Sequence, residues 1–269
     1  MQSPNLVAGQ PTLVTREEIS AGLAAIGLPH GATVMVHSSL SAFGQVQGGE
    51  HAVIDALFAV VGEAGLVVVP THTWGTVNAR QPVFHVQLSP SIVGRITETF
   101  RRRPDAVRSR HPTHSVAAIG ANAEAFVAGH ALSTTPCAPD SPYGRLVQAR
   151  GWVLLLGVNL SRLTLMHGLE EWAPVPWLFD RMETLYAILE DGSVLTVPSQ
   201  RHTADPGCAR DYPALERLLV GHGIMRTGTI GAATIRLIDA AAAAELLVPM
   251  LRQRPDLVLK GRSRPVLAS

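Results

Sequence analysis

Cysteine is scarce. Cys137 and Cys208 are the only two in 269 residues, so no disulfide framework is expected and a reducing cytoplasm is the simplest setting. No apolar run reaches the ~18 residues needed to span a bilayer. The leading segment "MQSPNLVAGQ" lacks a basic stretch followed by an apolar one, so no secretory signal is read there. Repeats, low-complexity tracts and clear linkers are also missing, which favours one domain over residues 1–269. There is no His-Glu-x-x-His or Cys-x-x-Cys, which removes the common zinc patterns. There is no G-x-S-x-G nucleophile elbow, no Walker A loop and no G-x-G-x-x-G after a strand. Net charge is only +1, and no nucleic-acid or membrane partner is expected.

What is present is a chain that is 46% apolar and 16% charged, enough to build a sizeable core. "TREE" at 15–18 fits a capping box, Thr15 with Glu18, opening a helix to about Leu28. "ATVMVHSSL", "GLVVVPTHTW", "SVAAIGA", "GWVLLLGVN" and "ATIRLIDA" read as buried strands. "GGEHAVIDALFAVVG" has helical spacing, with Val53, Leu57 and Val60 on one face. Further helices are expected over 91–102, 122–129, 142–149, 164–172, 211–221 and 240–252, with Ser141-Pro142 as an N-cap and first helical proline. This alternation predicts an α/β fold with a mixed, largely parallel central sheet flanked by helices. Ligands in such sheets sit beyond the C-terminal strand ends, where His37-Ser38-Ser39, Thr71-His72-Thr73 and the approach to Thr164 and His167 fall.

Taken residue by residue, the candidate chemistry is ambiguous. His37, His72, His111 and His114 near strand ends invite a metal, but "HPTHS" sets its two histidines across a proline, which spoils a helical ligand pair. No metal is expected. Cys137 sits in the loop "TTPCAPDSPYG", and Cys208 lies near His202 and Asp205. "HSSLSAFGQVQGGEH" suits a pyrophosphate or is an ordinary strand-to-helix loop. In "TLMHGLEEW", Thr164, His167 and Glu170 fall three apart, on one helix face: a catalytic group or a plain polar face. Residues 95–110 carry six arginines against Glu98 and Asp105, while 167–216 carry nine acids against three arginines. These are two solvated faces, or a phosphate site and a cation site.

Taken together, the segments resemble the antibiotic N-acetyltransferase family, the aminoglycoside 3-N-acetyltransferases. The pieces are "VMVHSSLSAFGQVQGGEHAVIDAL", "GLVVVPTHTW", "SPSIVGRITETFRRRPDAVRSRHPTHSVAAIG", "DSPYGRL" and "GWVLLLGVNLSRLTLMHGLEE", in the family's order over roughly residues 30–172. The resemblance implies acetyl-CoA as donor, an aminoglycoside amine as acceptor, antibiotic resistance as outcome, and the family's α/β fold. It makes His167 the general base, Thr164 the hydroxyl near the thioester carbonyl, and Glu170 the acid one helical turn beyond the base. His37, Ser38, Ser39, Leu40, Phe43 and Gly44, with Thr71, Thr73 and Ser115, are then the coenzyme A cradle. One branch of the family carries a glutamate seventeen residues after the histidine; here that position is Thr184. Another branch uses a later aspartate, which "TADPGCARDY" offers as Asp205, so Asp205 is expected to orient His167, with Glu183 and Glu170 as alternatives. Glu171, Asp180, Glu183 and Trp74 are the acceptor-site candidates.

The chemistry expected is direct attack in a ternary complex. A base takes the amine proton as the C–N bond forms, worth about 10²–10⁴-fold, and a carboxylate behind the imidazole fixes its tautomer. The alternatives are an acetyltransferase for a different small amine, a metal-dependent hydrolase, and a coenzyme A-binding protein without catalysis.

Overall fold

The computed structural model describes residues 13–261; the segment searched for a secretory signal lies outside them. In chain order the strands are β1 (Leu13–Val14), β2 (Thr33–Ser38), β3 (Gln45–Val46), β4 (Leu66–Pro70), β5 (Val83–His85), β6 (Val107–Arg108), β7 (Val116–Gly120), β8 (Trp152–Leu156), β9 (Phe179–Ile188), β10 (Val194–His202), β11 (Met225–Ile230) and β12 (Ala233–Asp239). The helices are α1 (Arg16–Ala25), α2 (Gly49–Val61), α3 (Arg95–Arg101), α4 (Ala123–Val127), α5 (Pro142–Gln148), α6 (Leu165–Trp172), α7 (Glu216–Gly221) and α8 (Ala240–Gln253).

Seven strands form one sheet in the order β11-β12-β8-β2-β4-β7-β6. The sheet is mixed and helix-flanked, as expected. The parallel part is narrower than the sequence suggested: only β2 pairs parallel to its neighbours, β8 and β4, and the other four pairings are antiparallel. Both faces are covered. Val34, Val36, Val67, Val69, Leu154 and Leu156 pack against α1, α2 and α3 through Leu23, Leu57 and Phe100. Met35, Val68, Val153 and Leu155 point the other way, toward Leu146, Leu169, Leu219 and Leu247. Burial on two faces explains why these strands read as unbroken apolar runs.

Local signals act where they were read. Thr15 and Glu18 close a reciprocal capping box at the start of α1, and Ser141 caps α5 with Pro142 in its first turn. The helix expected over 211–221 is split: a 3-10 turn at Tyr212–Leu215 precedes α7. A second sheet, β10-β9-β5, was not foreseen. It joins a long antiparallel β9-β10 hairpin to β5, which runs parallel to β9, has its own small core of Phe84, Val86, Leu185, Ala187 and Val197, and brings His202 back to the main sheet. No helix among the described residues is long and apolar enough to cross a membrane.

The start of α5 is fixed by backbone contact. A Cβ on Gly144 would overlap the carbonyl of Pro139, and the adjacent Tyr143 hydroxyl meets His72 Nε2 at 2.8 Å. Gly144→Ala therefore lowers unfolding free energy by about 1–3 kcal/mol. Gly221→Ala, in open space at the end of α7, raises it by about 0.4–1 kcal/mol. Urea denaturation of both variants checks the contrast.

Candidate active site

The C-terminal ends of β2 and β4, with the chain after β8, surround a cleft of about 1120 Å³, the usual ligand position in such a sheet. Of the residues expected to bind the cofactor or acceptor, His37, Ser38, Ser39, Leu40, Gly44 and Trp74 line it, as do Thr164 and His167. Four others do not. Phe43 is buried in the core beneath the sheet. The Thr71 and Ser115 hydroxyls lie 2.9 Å apart, with Arg108 Nε at 3.1 and 3.2 Å from them, and the Thr73 hydroxyl donates to the Pro112 carbonyl. These are polar strand terminators satisfied inside the protein, and the assignment of Phe43, Thr71, Thr73 and Ser115 to the cradle is corrected.

Thr164 is the N-cap of α6, but its side chain makes no capping bond, which leaves the hydroxyl free toward the cleft. One turn on, His167 Nδ1 lies 3.2 Å from Glu170 Oε2 and 2.9 Å from the Tyr212 hydroxyl. That hydroxyl donates to Glu170 Oε2 at 2.9 Å. A phenol has a single proton, so its oxygen accepts from Nδ1–H. This fixes the tautomer and leaves Nε2 with its lone pair for the cleft. Burial and the Glu170 charge push the Tyr212 phenol well above its usual range, so it remains a donor. Glu170 itself is 0% exposed, with Arg210 Nε 3.6 Å from its other oxygen.

The carboxylate expected behind His167 was Asp205. Its Oδ1 instead accepts from Gly207 N within its own 3-10 turn, and Glu170, one of the two alternatives, occupies the place. Thr184 and Glu183 lie on β9, where Glu183 is 3.7 Å from Arg201. Asp180 is exposed, with its backbone carbonyl accepting from Gln200. The Glu171 side chain is only 4% exposed: Oε1 accepts from Cys137 N and meets His202 Nε2 at 2.7 Å, and Oε2 accepts from Thr135. None of Glu171, Asp180 and Glu183 lines the cleft, whose charged lining is Arg95, Arg162, Arg201 and Arg210. Of the 95–110 arginines only Arg95 reaches it. Arg101 is clamped to Glu98 and the Gln87 carbonyl, Arg108 to the Val86 and Ser89 carbonyls, and Arg102, Arg103 and Arg110 pair with acids. Counting charge along a chain says nothing about which way each side chain points.

The histidines gather as well. Rings of His167 and His202 stack at 4.4 Å, His202 and His114 lie 5.5 Å apart, and His114 and His72 4.7 Å. Burial lowers the pKa of His37 to about 3 and of His130 to about 4, and holds His72, His111, His114 and His202 well below the usual imidazole value. They are neutral hydrogen-bonding and packing groups near pH 7.

A family model described as aminoglycoside 3-N-acetyltransferase matches residues 35–252. The chain belongs to that family. Aminoglycoside N(3)-acetyltransferase VII of Streptomyces paromomycinus is 38% identical over 269 residues, covering 90% of this chain and 92% of that protein. The structure of AAC-IIIb bound to CoASH superposes with a TM-score of 0.79 at 30% identity, covering 94% of this chain and 100% of that one. A mutant of AAC(3)-IVa in complex with a gentamicin gives a TM-score of 0.79 at 29% identity, with 92% of each chain covered.

Tyr212 beside His167, and His202, Arg162, Arg201 and Arg210 on the cleft wall, were not read from the sequence as candidates for this cleft. Tyr212 lies 45 positions from His167, beyond any helical or strand periodicity.

Glu171 carries a pH signature. Burial, with Glu170 nearby, raises its carboxyl to about 8 from 4.5. A carboxyl raised on folding contributes stability that is full below its unfolded value and lost as pH rises through the folded one. Between about pH 4.5 and 8 the wild type therefore loses stability relative to Glu171→Gln, which stays neutral throughout. Paired denaturation curves across that range measure the crossing difference.

Proposed function

We propose that this chain, a single domain working in the cytoplasm, transfers acetyl from acetyl-CoA to an aminoglycoside amine with His167 as general base. Acyl transfer, acetyl-CoA as co-substrate, an aminoglycoside acceptor and a role in antibiotic resistance follow from the family. The roles given to residues are our assignment. One observation supports it above the others: Glu170 and Tyr212 together occupy Nδ1 of a histidine that lines the cleft.

His167 Nε2 takes a proton from the neutral acceptor amine as its nitrogen bonds to the thioester carbon. Glu170 and Tyr212 stabilise the imidazolium so formed. The Thr164 hydroxyl donates to the thioester oxygen as charge develops there, a contact worth on the order of 10²-fold or more. When the C–S bond breaks, the sulfur leaves with the electron pair and recovers the proton from His167. No protein nucleophile is needed. Cys137 is fully buried, and burial with Glu171 and Glu170 pushes its thiol well above the ordinary range. Arg95 follows Gly94, which packs near the Ser38 carbonyl, and with Arg162 supplies charge for the phosphates of coenzyme A.

A second reading, transfer to a less cationic small amine, is favoured by one feature: four arginines and no carboxylate line the cleft. A polycationic acceptor has to reach the acids behind them, Glu183 behind Arg201 and Glu170 behind Arg210.

Acetylation of an aminoglycoside panel, followed by thiol release, separates the two. Turnover confined to amines with one charge removes the aminoglycoside assignment. His167→Ala lowers kcat by about 10²–10⁴-fold, and preserved turnover would remove the base. Tyr212→Phe deletes a bond to a charged group and lowers kcat by about 10–100-fold while leaving KM for acetyl-CoA near wild type. Intact-protein mass spectrometry after acetyl-CoA alone shows no acetylated enzyme.

A further inference from the structure

A second cluster of chemistry lies directly behind the base and takes no part in the reaction above. The loop carrying Cys137 is clamped to α6: the Cys137 amide donates to Glu171 Oε1, the Thr135 hydroxyl to Glu171 Oε2, and Trp172 Nε1 to the Cys137 carbonyl at 2.9 Å. Gly168 lets the loop approach, since a Cβ there would stand 3.3 Å from the Cys137 carbonyl oxygen and 3.1 Å from the Trp172 ring. From the other side β10 ends in His202, whose Nε2 meets Glu171 at 2.7 Å and whose Nδ1 is buried with no partner. The Cys137 sulfur, a Glu171 oxygen and a His202 nitrogen lie within 4.8 Å of one another.

We propose that Cys137, Glu171 and His202 form a binding site for a soft divalent cation of the zinc type, and that its occupation inhibits the enzyme. The donor set fits that ion: thiolate, imidazole and carboxylate at about 2.0–2.3 Å are zinc's usual ligands. Around a tetrahedral ion such donors stand roughly 3.3–3.8 Å apart, so side-chain shifts of about 1 Å close the site. Zinc or cadmium suits a thiolate better than calcium or magnesium, which take oxygen ligands. The three residues come from a loop, a helix and a strand already held by hydrogen bonds, which lowers the ordering cost of binding. On binding the thiol loses its proton to solvent, as a coordinating thiol does outright, and its sulfur becomes the third ligand. His202 lines the cleft, which gives the ion a route in. Inhibition follows from position: ligation moves or locks the ring stacked 4.4 Å from His167. It also sets a dication beside the place where a cationic acceptor has to dock, which rests on the acceptor assignment above.

The test begins with binding alone. Titration of the wild-type protein with cadmium gives a thiolate-to-metal charge-transfer band that saturates at one equivalent, and zinc displaces it. Cys208→Ser keeps the band. Cys137→Ala loses it, and Glu171→Gln and His202→Ala weaken cadmium binding at least tenfold. Absence of a one-equivalent band in the wild type overturns the proposal without reference to any variant, as does a band that survives in Cys137→Ala. In the acetyl-transfer assay zinc inhibits the wild type, a chelator reverses it, and Cys137→Ala retains basal turnover but resists zinc. Equal zinc sensitivity of the wild type and Cys137→Ala overturns the inhibitory role. A binding result in hand distinguishes that outcome from failure of the acceptor assignment.

Discussion

A carboxylate with no exposed surface, Glu170, is the constraint around which the cleft is arranged. An ionised carboxylate inside a protein costs several kcal/mol unless hydrogen bonds and countercharge accompany it. Three parts of the chain supply them: His167 from the same helix, Tyr212 from the turn before α7, and the Arg210 guanidinium. The grouping that makes the burial tolerable is the one that orients the imidazole. The stability of α6 and the function proposed for it therefore rest on the same contacts.

The adjacent carboxylate illustrates the other solution. Glu171 is flanked by an amide, a hydroxyl and an imidazole, with no guanidinium among its hydrogen-bond partners, and burial raises its pKa. Two neighbouring carboxylates thus differ in their partners: Glu170 faces Arg210 and Tyr212, and Glu171 faces the Cys137 loop and His202. His202, His114 and His72 stay neutral for the same reason: burial disfavours the charged form. A charged cluster of histidines would repel a cationic acceptor. A neutral one packs, accepts and donates hydrogen bonds, and leaves charge to the arginines at the cleft wall.

The central fold was legible because its strands are apolar on both faces and its helix starts carry strong local chemistry. "LVVVP" and "WVLLL" admit little but buried strand, and the Thr15–Glu18 and Ser141-Pro142 signals act within four residues. The β9–β10 hairpin was missed because its alternation is incomplete. Leu185 and Ala187 face inward, but Met182, Thr184 and Tyr186 lie outward among charges, and the acids were read as site residues. The antiparallel pairings at the sheet edges depend on where long connections return, which no local pattern encodes.

Helical pitch alone puts Thr164, His167 and Glu170 on one helix face, since residues three apart lie side by side. The residue pattern also set which runs must be buried, and that His37, Ser38, Ser39 and Trp74 stand at or beyond strand ends. Tertiary structure decided the remainder: that Glu170 rather than Asp205 lies behind the imidazole, that Tyr212 joins it, and that the arginines of 95–110 are mostly turned inward or paired. The physical reason is range. Pitch and capping act over three or four residues, whereas hydrogen bonds across 31 or 45 positions exist only once packing has brought their elements together.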